Sequence, residues 1–238
     1  MSKFYSELAN YYNDIFPLAD ATLQFLKQEL AKEKGTVLDI ACGSGQYAMA
    51  LAQVGHAVTA IDLDDEMIHQ LQRKSANIDA RVLDMRKIAI LKQQYDLLFC
   101  IGNSLVHLDS GEDILVFLNA CYVALKPGGK LVLQIINYDR ILDQQIDHLP
   151  TIHNQAVPLS FERNYNYQKE LHKVEFHTRL HVKQQSYENR VLLYPLRSNE
   201  LLSLIQKAGF QSWSFFGNFQ RAPFDAQTSV PLVVTIQK

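Results

Sequence analysis

One stretch limits what this chain can become more than any other. Val37-Leu38-Asp39-Ile40 is a short, mostly apolar run that leads directly into Ala41-Cys42-Gly43-Ser44-Gly45-Gln46-Tyr47-Ala48. The run reads as a buried parallel strand. Gly43 to Ala48 fits G-x-G-x-x-G/A and opens a helix that continues to Val54 and stops at Gly55. Glycines let such a turn pass close beneath a ligand, while the helix start presents free N–H groups and the positive end of its dipole. Asp62 lies 19 positions after Gly43, at the tip of the next strand, where a carboxylate accepts both hydroxyls of a ribose. Strand, turn, helix and acid together call for a nucleoside-containing cofactor at the carboxyl ends of parallel strands. The spacing suits a nicotinamide dinucleotide and S-adenosylmethionine alike.

The surrounding pattern agrees. A helix is expected over Thr22–Lys34, with Leu23, Leu26 and Leu30 on one face, Asp20 as N-cap and Gly35 as the stop. Strands are expected at His56–Ile61, Ala80–Leu83, Tyr95–Ile101 and Leu131–Ile136, with helices at Asp65–Lys74 and Ile114–Leu125 and a turn at Lys126-Pro127-Gly128-Gly129. Such alternation implies right-handed βαβ units and a parallel sheet covered on both faces. After Asn137 the period changes. Val174, Phe176, Thr178, Leu180 and Val182 alternate with Glu175, His177, Arg179 and His181, as Val157, Leu159 and Phe161 do with polar neighbours. Period two marks half-buried antiparallel strands, and Tyr187–Tyr194 extends the set. A helix over Ser198–Ala208 and strands near Trp213–Phe216 and Pro231–Gln237 then resume the first pattern. The chain is therefore expected to be one Rossmann-like α/β domain, residues 1–137 and 196–238, with a seven-stranded sheet that is mostly parallel and ends in an antiparallel strand. Residues 138–195 form a small antiparallel β insert that caps the site.

Composition narrows the function. The 238 residues are 47% hydrophobic and 20% charged, with 23 Lys+Arg against 25 Asp+Glu, so disorder is excluded and a basic nucleic-acid surface is not expected. Three scattered cysteines, Cys42, Cys100 and Cys121, form neither a disulfide framework nor a zinc knuckle and suit a reducing, cytoplasmic setting. No apolar run approaches the roughly 18–20 residues of a membrane span, and Met1 to Asp14 lacks the apolar region of a secretory signal.

The residues around the turn resemble motif I of the class I S-adenosylmethionine-dependent methyltransferases, where an acid in the first strand precedes the G-x-G turn. Asp62 stands at that family's ribose acid, and Asp84 in Leu83-Asp84-Met85 at its adenine-contacting acid. Lys126-Pro127-Gly128-Gly129-Lys130-Leu131 is similar to the turn before its fifth strand. The resemblance implies S-adenosylmethionine as cofactor, with contacts from Tyr12, Asp39, Ala41, Cys42, Gly43, Ser44, Gly45, Asp62, Leu63, Met67, Asp84, Met85, Ile101 and Gly102. Within the class, Gly102-Asn103-Ser104-Leu105-Val106-His107-Leu108, Asn137-Tyr138-Asp139-Arg140-Ile141-Leu142 and Leu193-Tyr194-Pro195 look like glycine N-methyltransferase and related small-molecule enzymes, which carry a comparable cap. One departure stands out: Ile136 occupies the place of the arginine that holds glycine's carboxylate in that enzyme. The departure argues against glycine and for a larger or more apolar acceptor, such as an amino sugar or another amine.

Methyl transfer from a sulfonium is an in-line displacement whose leaving group needs no proton, so alignment and exclusion of water dominate. A nitrogen acceptor must be neutral when it attacks, by loss of a proton to solvent or to a base. His107 is the expected base, Asn103 an orienting amide, and Tyr138 and Tyr194 walls of the acceptor pocket. Tyr11 and Tyr12 are expected to close over the cofactor. His177 and His181, two pleats apart, read as a solvated face and no metal is expected. The absence of a Pro-Cys pair at Cys100 and of a Pro-Pro-aromatic motif after it argues against base methylation. The expected partner is a small-molecule acceptor, with neither nucleic acid nor membrane involved, and a homo-oligomer is compatible. A nicotinamide-dependent oxidoreductase is set aside because no candidate proton-transfer pair such as Tyr-x-x-x-Lys is read in the sequence, and a non-catalytic cofactor-binding module remains the third reading.

Overall fold

Leu38, Ile40, Leu97, Leu98 and Phe99 are wholly buried, and the strands that carry them, β1 (Thr36–Ile40) and β4 (Tyr95–Cys100), lie side by side at the middle of a seven-stranded sheet. The computed structural model describes the backbone of residues 3–238 and the side chains of Glu7, Leu8 and residues 10–238; Met1 and Ser2 of the expected domain lie outside the described residues. Helices α1 (Lys3–Ile15) and α2 (Asp20–Leu30) precede β1. Then come α3 (Gln46–Gln53), β2 (Ala57–Asp62), α4 (Asp65–Lys74), β3 (Asp79–Val82), β4, α5 (Gly111–Ala124) and β5 (Leu125–Ile136). The insert contributes α6 (Tyr138–Asp143), β6 (His148–Asn154), β7 (Leu159–Gln168), β8 (Lys173–Val182) and β9 (Gln185–Leu193). The chain closes with α7 (Ser198–Lys207), β10 (Ser212–Phe216) and β11 (Pro231–Gln237).

The large sheet runs β10-β11-β5-β4-β1-β2-β3. Its four pairings from β5 to β3 are parallel, and β11 alone runs against its neighbours β5 and β10. The fold is the Rossmann-like methyltransferase sheet with an antiparallel last strand. Two apolar layers cover it, one around Leu105, Phe117 and Ile205, the other around Phe25, Leu26 and Leu51. The four insert strands form a separate antiparallel meander in the order β6-β7-β8-β9. No described helix is long and apolar enough to cross a membrane.

Local chemistry explains where expectation and structure part. Helix α2 starts at Asp20 itself, with Ala19 at the N-cap, and ends at Ala31 in the left-handed region (φ 50°), four residues before Gly35. Gly35 instead donates its N–H to His56 Nδ1 at 3.2 Å. The Lys126–Gly129 turn lies inside β5 as a bulge: pairing passes from Tyr95 opposite Leu125 to Leu97 opposite Lys130. Glycine is required there, since a Cβ on Gly129 would sit 3.0 Å from the carbonyl oxygens of Lys126 and Tyr95. The sequence reading did not anticipate α1, α6 or β6. Strand β6 holds Pro150 and only one buried residue, Leu149, so it carries no period-two signal.

Asn137-Tyr138-Asp139 is the joint at which the insert leaves the sheet. Asn137 Oδ1 caps α6 through the N–H groups of Asp139 and Arg140, while its Nδ2 donates to the carbonyls of Ala226 (3.0 Å) and Ser229 (2.9 Å). Asp139 Oδ2 accepts the N–H of Ser198 at 2.9 Å, at the start of α7. One tripeptide thus ties the first helix of the insert to the elements that follow it.

Candidate cofactor and acceptor site

Three residues of the turn after β1 lie in the left-handed region: Ala41 (φ 57°), Gly43 (φ 54°) and Gly45 (φ 72°). The turn is clamped from the tip of β2. Asp62 Oδ2 accepts the N–H of Gly43 at 2.8 Å, Asp62 Oδ1 accepts that of Asp64 at 3.0 Å, and Cys42 donates its N–H to the carbonyl of Ile61 at 3.0 Å. A side chain at either glycine would collide with a neighbour: a Cβ on Gly45 would lie 2.6 Å from Leu71, and one on Gly43 3.3 Å from the Tyr12 ring. Helix α1 covers the turn from outside. Ser44 Oγ donates to Asn13 Oδ1 at 2.6 Å, and Gln46 Nε2 to the carbonyl of Phe16 at 2.7 Å.

The electrostatics favour a cationic guest. Asp39 is buried, and its Oδ2 has no hydrogen-bond partner among the described residues. Burial, and then the Asp62 charge, push its pKa well above the ordinary carboxylate value. Burial also raises Asp62. Tyr12 is pushed up to about 12 by burial and by both carboxylates. Two acids whose ionisation burial opposes, one with a free buried acceptor, lie at the turn, and a cationic guest would favour their charged forms. The sulfonium and ammonium of S-adenosylmethionine are such charges, and the carboxyl end of β2 fits the ribose.

A cavity of about 390 Å³ opens beside the turn, lined by Ala41, Asp62, Leu63, Asp64, Leu83, Met85, Ser104 and His107. Of these, Ala41, Asp62, Leu63 and Met85 were expected from sequence as cofactor residues; Asp64, Leu83 and Ser104 were not. Asp64 had a signal, because it caps α4 by accepting the N–H groups of Glu66 and Met67 immediately after the ribose acid. Met67 itself is buried in α4 and is not among the residues lining the cavity. Asp84 does not line it either: both carboxylate oxygens are held by the Arg86 guanidinium, which keeps its pKa below the ordinary value. Ile101 packs against the apolar layer of Phe25 and Leu51, and Gly102 (φ 79°) donates its N–H to Gln134 Oε1 at 2.7 Å.

The residues expected at the acceptor divide. His107 lines this cavity with Asp62, and desolvation lowers its pKa. Asn103 sits in the left-handed region (φ 71°), and its side chain is engaged within the protein: Oδ1 accepts the N–H of Ile136 at 2.9 Å and Nδ2 donates to the Tyr138 hydroxyl at 3.3 Å. It locks the loop after β4 to β5. Tyr138 is wholly buried, a core support under Asn103 and not a pocket wall. Tyr194 is turned elsewhere: its hydroxyl donates to Glu200 Oε1 at 2.5 Å and its ring stands edge-on to His172. The Tyr12 ring lies against Gly43, while Tyr11 lies with Lys183, whose Nζ is 5.6 Å from its ring.

His177 and His181 meet Glu188 and Glu162 on the outer face of the insert, and no cluster of three metal-ligating side chains occurs among the described residues. Tyr-x-x-x-Lys spacing does occur, at Tyr122/Lys126 and Tyr165/Lys169, which corrects the sequence reading. Neither pair reaches the cofactor turn. Tyr122 packs on Phe210 while Lys126 binds Asp96, and Tyr165 stacks on Phe176 with Lys169 in the following 3-10 turn.

Comparison with known proteins identifies the family. The family model "Methyltransferase domain" matches residues 37–129, from β1 into the β5 bulge. A glycine/sarcosine N-methyltransferase of Halorhodospira halochloris is 30% identical over 209 residues, 85% of this chain and 75% of the relative. One from Aphanothece halophytica is 28% identical over 221 residues, 91% of this chain and 80% of the relative. Among solved structures, an amino pentose methyltransferase of Micromonospora echinaspora bound to S-adenosylmethionine superposes with a TM-score of 0.73 at 15% identity, covering 100% of this chain and 98% of that one. With strand order, glycine turn and relatives matched over 75% and 80% of their own length in accord, the chain belongs to the class I S-adenosylmethionine-dependent methyltransferases.

Proposed function

We propose that the chain methylates the nitrogen of a small-molecule amine that loses its proton to solvent before attack. The observation that supports this reading is the lack, among the described residues on the acceptor side, of a group able to take a proton at neutral pH. Tyr12 and Tyr165 are each pushed up to about 12, chiefly by burial, and buried Tyr138 still higher. His107 lines the cavity with Asp62, and Asp39 and Asp62 lie beneath the cofactor turn. A hydroxyl, far more reluctant to lose its proton, would need the base that is missing; an amine arriving neutral does not. The glycine/sarcosine N-methyltransferases among the relatives point the same way.

When bound, S-adenosylmethionine supplies an electrophilic methyl group on sulfur. The chain's own residues do the rest. Asp62 holds the ribose hydroxyls, and the unpaired Asp39 oxygen faces the positive end of the ligand. Asn103, fixed by Ile136 and Tyr138, sets the edge of the acceptor space, and Tyr12 and Phe16 exclude water.

The test is a panel of amines, alcohols and thiols with labelled cofactor. Methylated amines are expected, with kcat/KM rising about 10-fold per pH unit below the acceptor's own pKa. The same slope is expected in His107→Gln. Transfer confined to hydroxyls, or a pH profile that His107→Gln flattens, would refute the proposal.

A further inference from the structure

Helix α2 covers only part of its side of the large sheet. Phe25 and Leu26 pack over Val132 of β5 and Val233 of β11. Toward the start of β10 the same face turns polar. Period two sets Ser212 and Ser214 on one face of β10, and the register lays Thr235 of β11 beside Ser214. The next row runs Ser212, Gln237 and Lys130, across β10, β11 and β5. With Glu29 of α2 and Arg221 of the β10–β11 loop, these residues line a cavity of about 280 Å³. It shares no lining residue with the cavity beside the cofactor turn.

The charges of this lining do not balance. Its one acid, Glu29, is buried, and accepts from Lys130 Nζ at 2.9 Å through Oε2 and from Arg221 Nη2 through Oε1. One carboxylate faces two cations, so one positive charge is left over. Neither cation uses all its donors there. An ammonium has three N–H groups and a guanidinium five. Among the described residues Lys130 Nζ donates to Glu29 alone, and Arg221 donates only from Nη2, to Glu29 and Gln28.

Arg221 is held in position as well. Its guanidinium carbon lies 4.5 Å from the ring centroid of Phe25 and 5.4 Å from that of Phe216. Rings against its faces leave its edge, where the N–H groups are, for an acceptor in its plane. Thr235 adds an independent signal. It is 8% exposed, and its hydroxyl has no hydrogen-bond partner among the described residues. A buried hydroxyl left unpaired is costly, and beside surplus positive charge the missing partner is an anionic oxygen.

We propose that this cavity is a second binding site, for a small oxyanion: a phosphate or a carboxylate. Lys130 and Arg221 supply charge-assisted hydrogen bonds, and the exposed Ser212 and Ser214 hydroxyls serve the remaining oxygens. Glu29 holds the two cations side by side and still leaves a net positive charge for the guest. The site stands apart from methyl transfer and does not depend on which acceptor is methylated.

The test is calorimetry on the full chain with inorganic phosphate and with malonate, against chloride at the same ionic strength. Saturable binding of at least one of the two is expected, the tighter one naming the class, with a melting temperature that rises with its concentration. In Lys130→Met and in Arg221→Met the affinity is expected to fall by at least about 10-fold, since each removes a charged donor and leaves Glu29 one partner. Ser214→Glu leaves the ion triad intact, sets a negative charge at the rim, and is expected to weaken binding comparably. S-adenosylhomocysteine affinity is expected to be unchanged in all three, which separates loss of the anion from loss of fold. Should a cation variant not fold, Ser214→Glu still decides. Neither anion binding beyond chloride overturns the proposal, and so does binding that the folded variants retain in full. Either failure leaves amine methylation standing.

Discussion

Gly45 shows how narrowly single residues are determined at this site. Its φ of 72° is left-handed, and the space where a Cβ would go is filled by Leu71, itself fully buried. Gly45→Ala therefore combines a backbone penalty with displacement of a packed leucine, together about 2–3 kcal/mol. For a chain of this size the melting temperature should fall by roughly 4–12 °C, with weaker S-adenosylhomocysteine binding. A variant that melts with the wild type would show that the turn yields freely. Residues of this kind were legible in the sequence, because a turn's φ values are local and glycine is the signal for them. The contacts of Asn103 and Tyr138 were not legible, since Asn103 is occupied by partners more than thirty positions away. Tyr194 misled for the same reason: an aromatic ring beside a motif reads as a pocket wall until Glu200 is seen to bind its hydroxyl.

At the scale of elements, alternating strands and helices were readable because buried parallel strands are continuous apolar runs and their helices carry one apolar face. Their fastening was not. Asp96, at the start of β4, accepts from Lys32 Nζ (2.5 Å), Lys126 Nζ (2.9 Å), Thr36 N–H (2.8 Å) and Thr36 Oγ1 (2.9 Å), joining the ends of α2, β1 and β5. Burial alone would raise its pKa, but these four bonds outweigh burial and hold it well below the usual range. A carboxylate lowered in the folded state stabilises the fold above its unfolded pKa of about 3.9 and loses that contribution as pH falls further. Asp96→Ala is expected to cost about 2 kcal/mol at pH 7, or roughly 4–8 °C, the exposed lysines keeping the loss moderate. Melts at falling pH should show the gap between wild type and variant narrowing below about pH 4. A gap that is constant down to pH 2 would rule out ionisation as its cause.

For the whole molecule, a ligand that binds only the folded chain must stabilise it by mass action. S-adenosylhomocysteine at a hundred times its Kd is expected to add about 2.7 kcal/mol, roughly 5–11 °C, while a nicotinamide dinucleotide adds nothing. The reverse pattern in thermal-shift titrations would contradict the cofactor assignment. The sequence by itself determined the doubly covered sheet, the place of the glycine turn and of Asp62 beside it, and the antiparallel character of the insert. Each of these is written in residues close together or in a period repeated along one element. Only the tertiary structure decided how the insert packs on the rest of the chain. Arg163 reads in sequence as one more charge on a strand. In the folded chain it is half-buried opposite Thr178 of β8, with Nη2 on the carbonyl of Pro150 and Nε covered, and those neighbours are set by packing between distant segments.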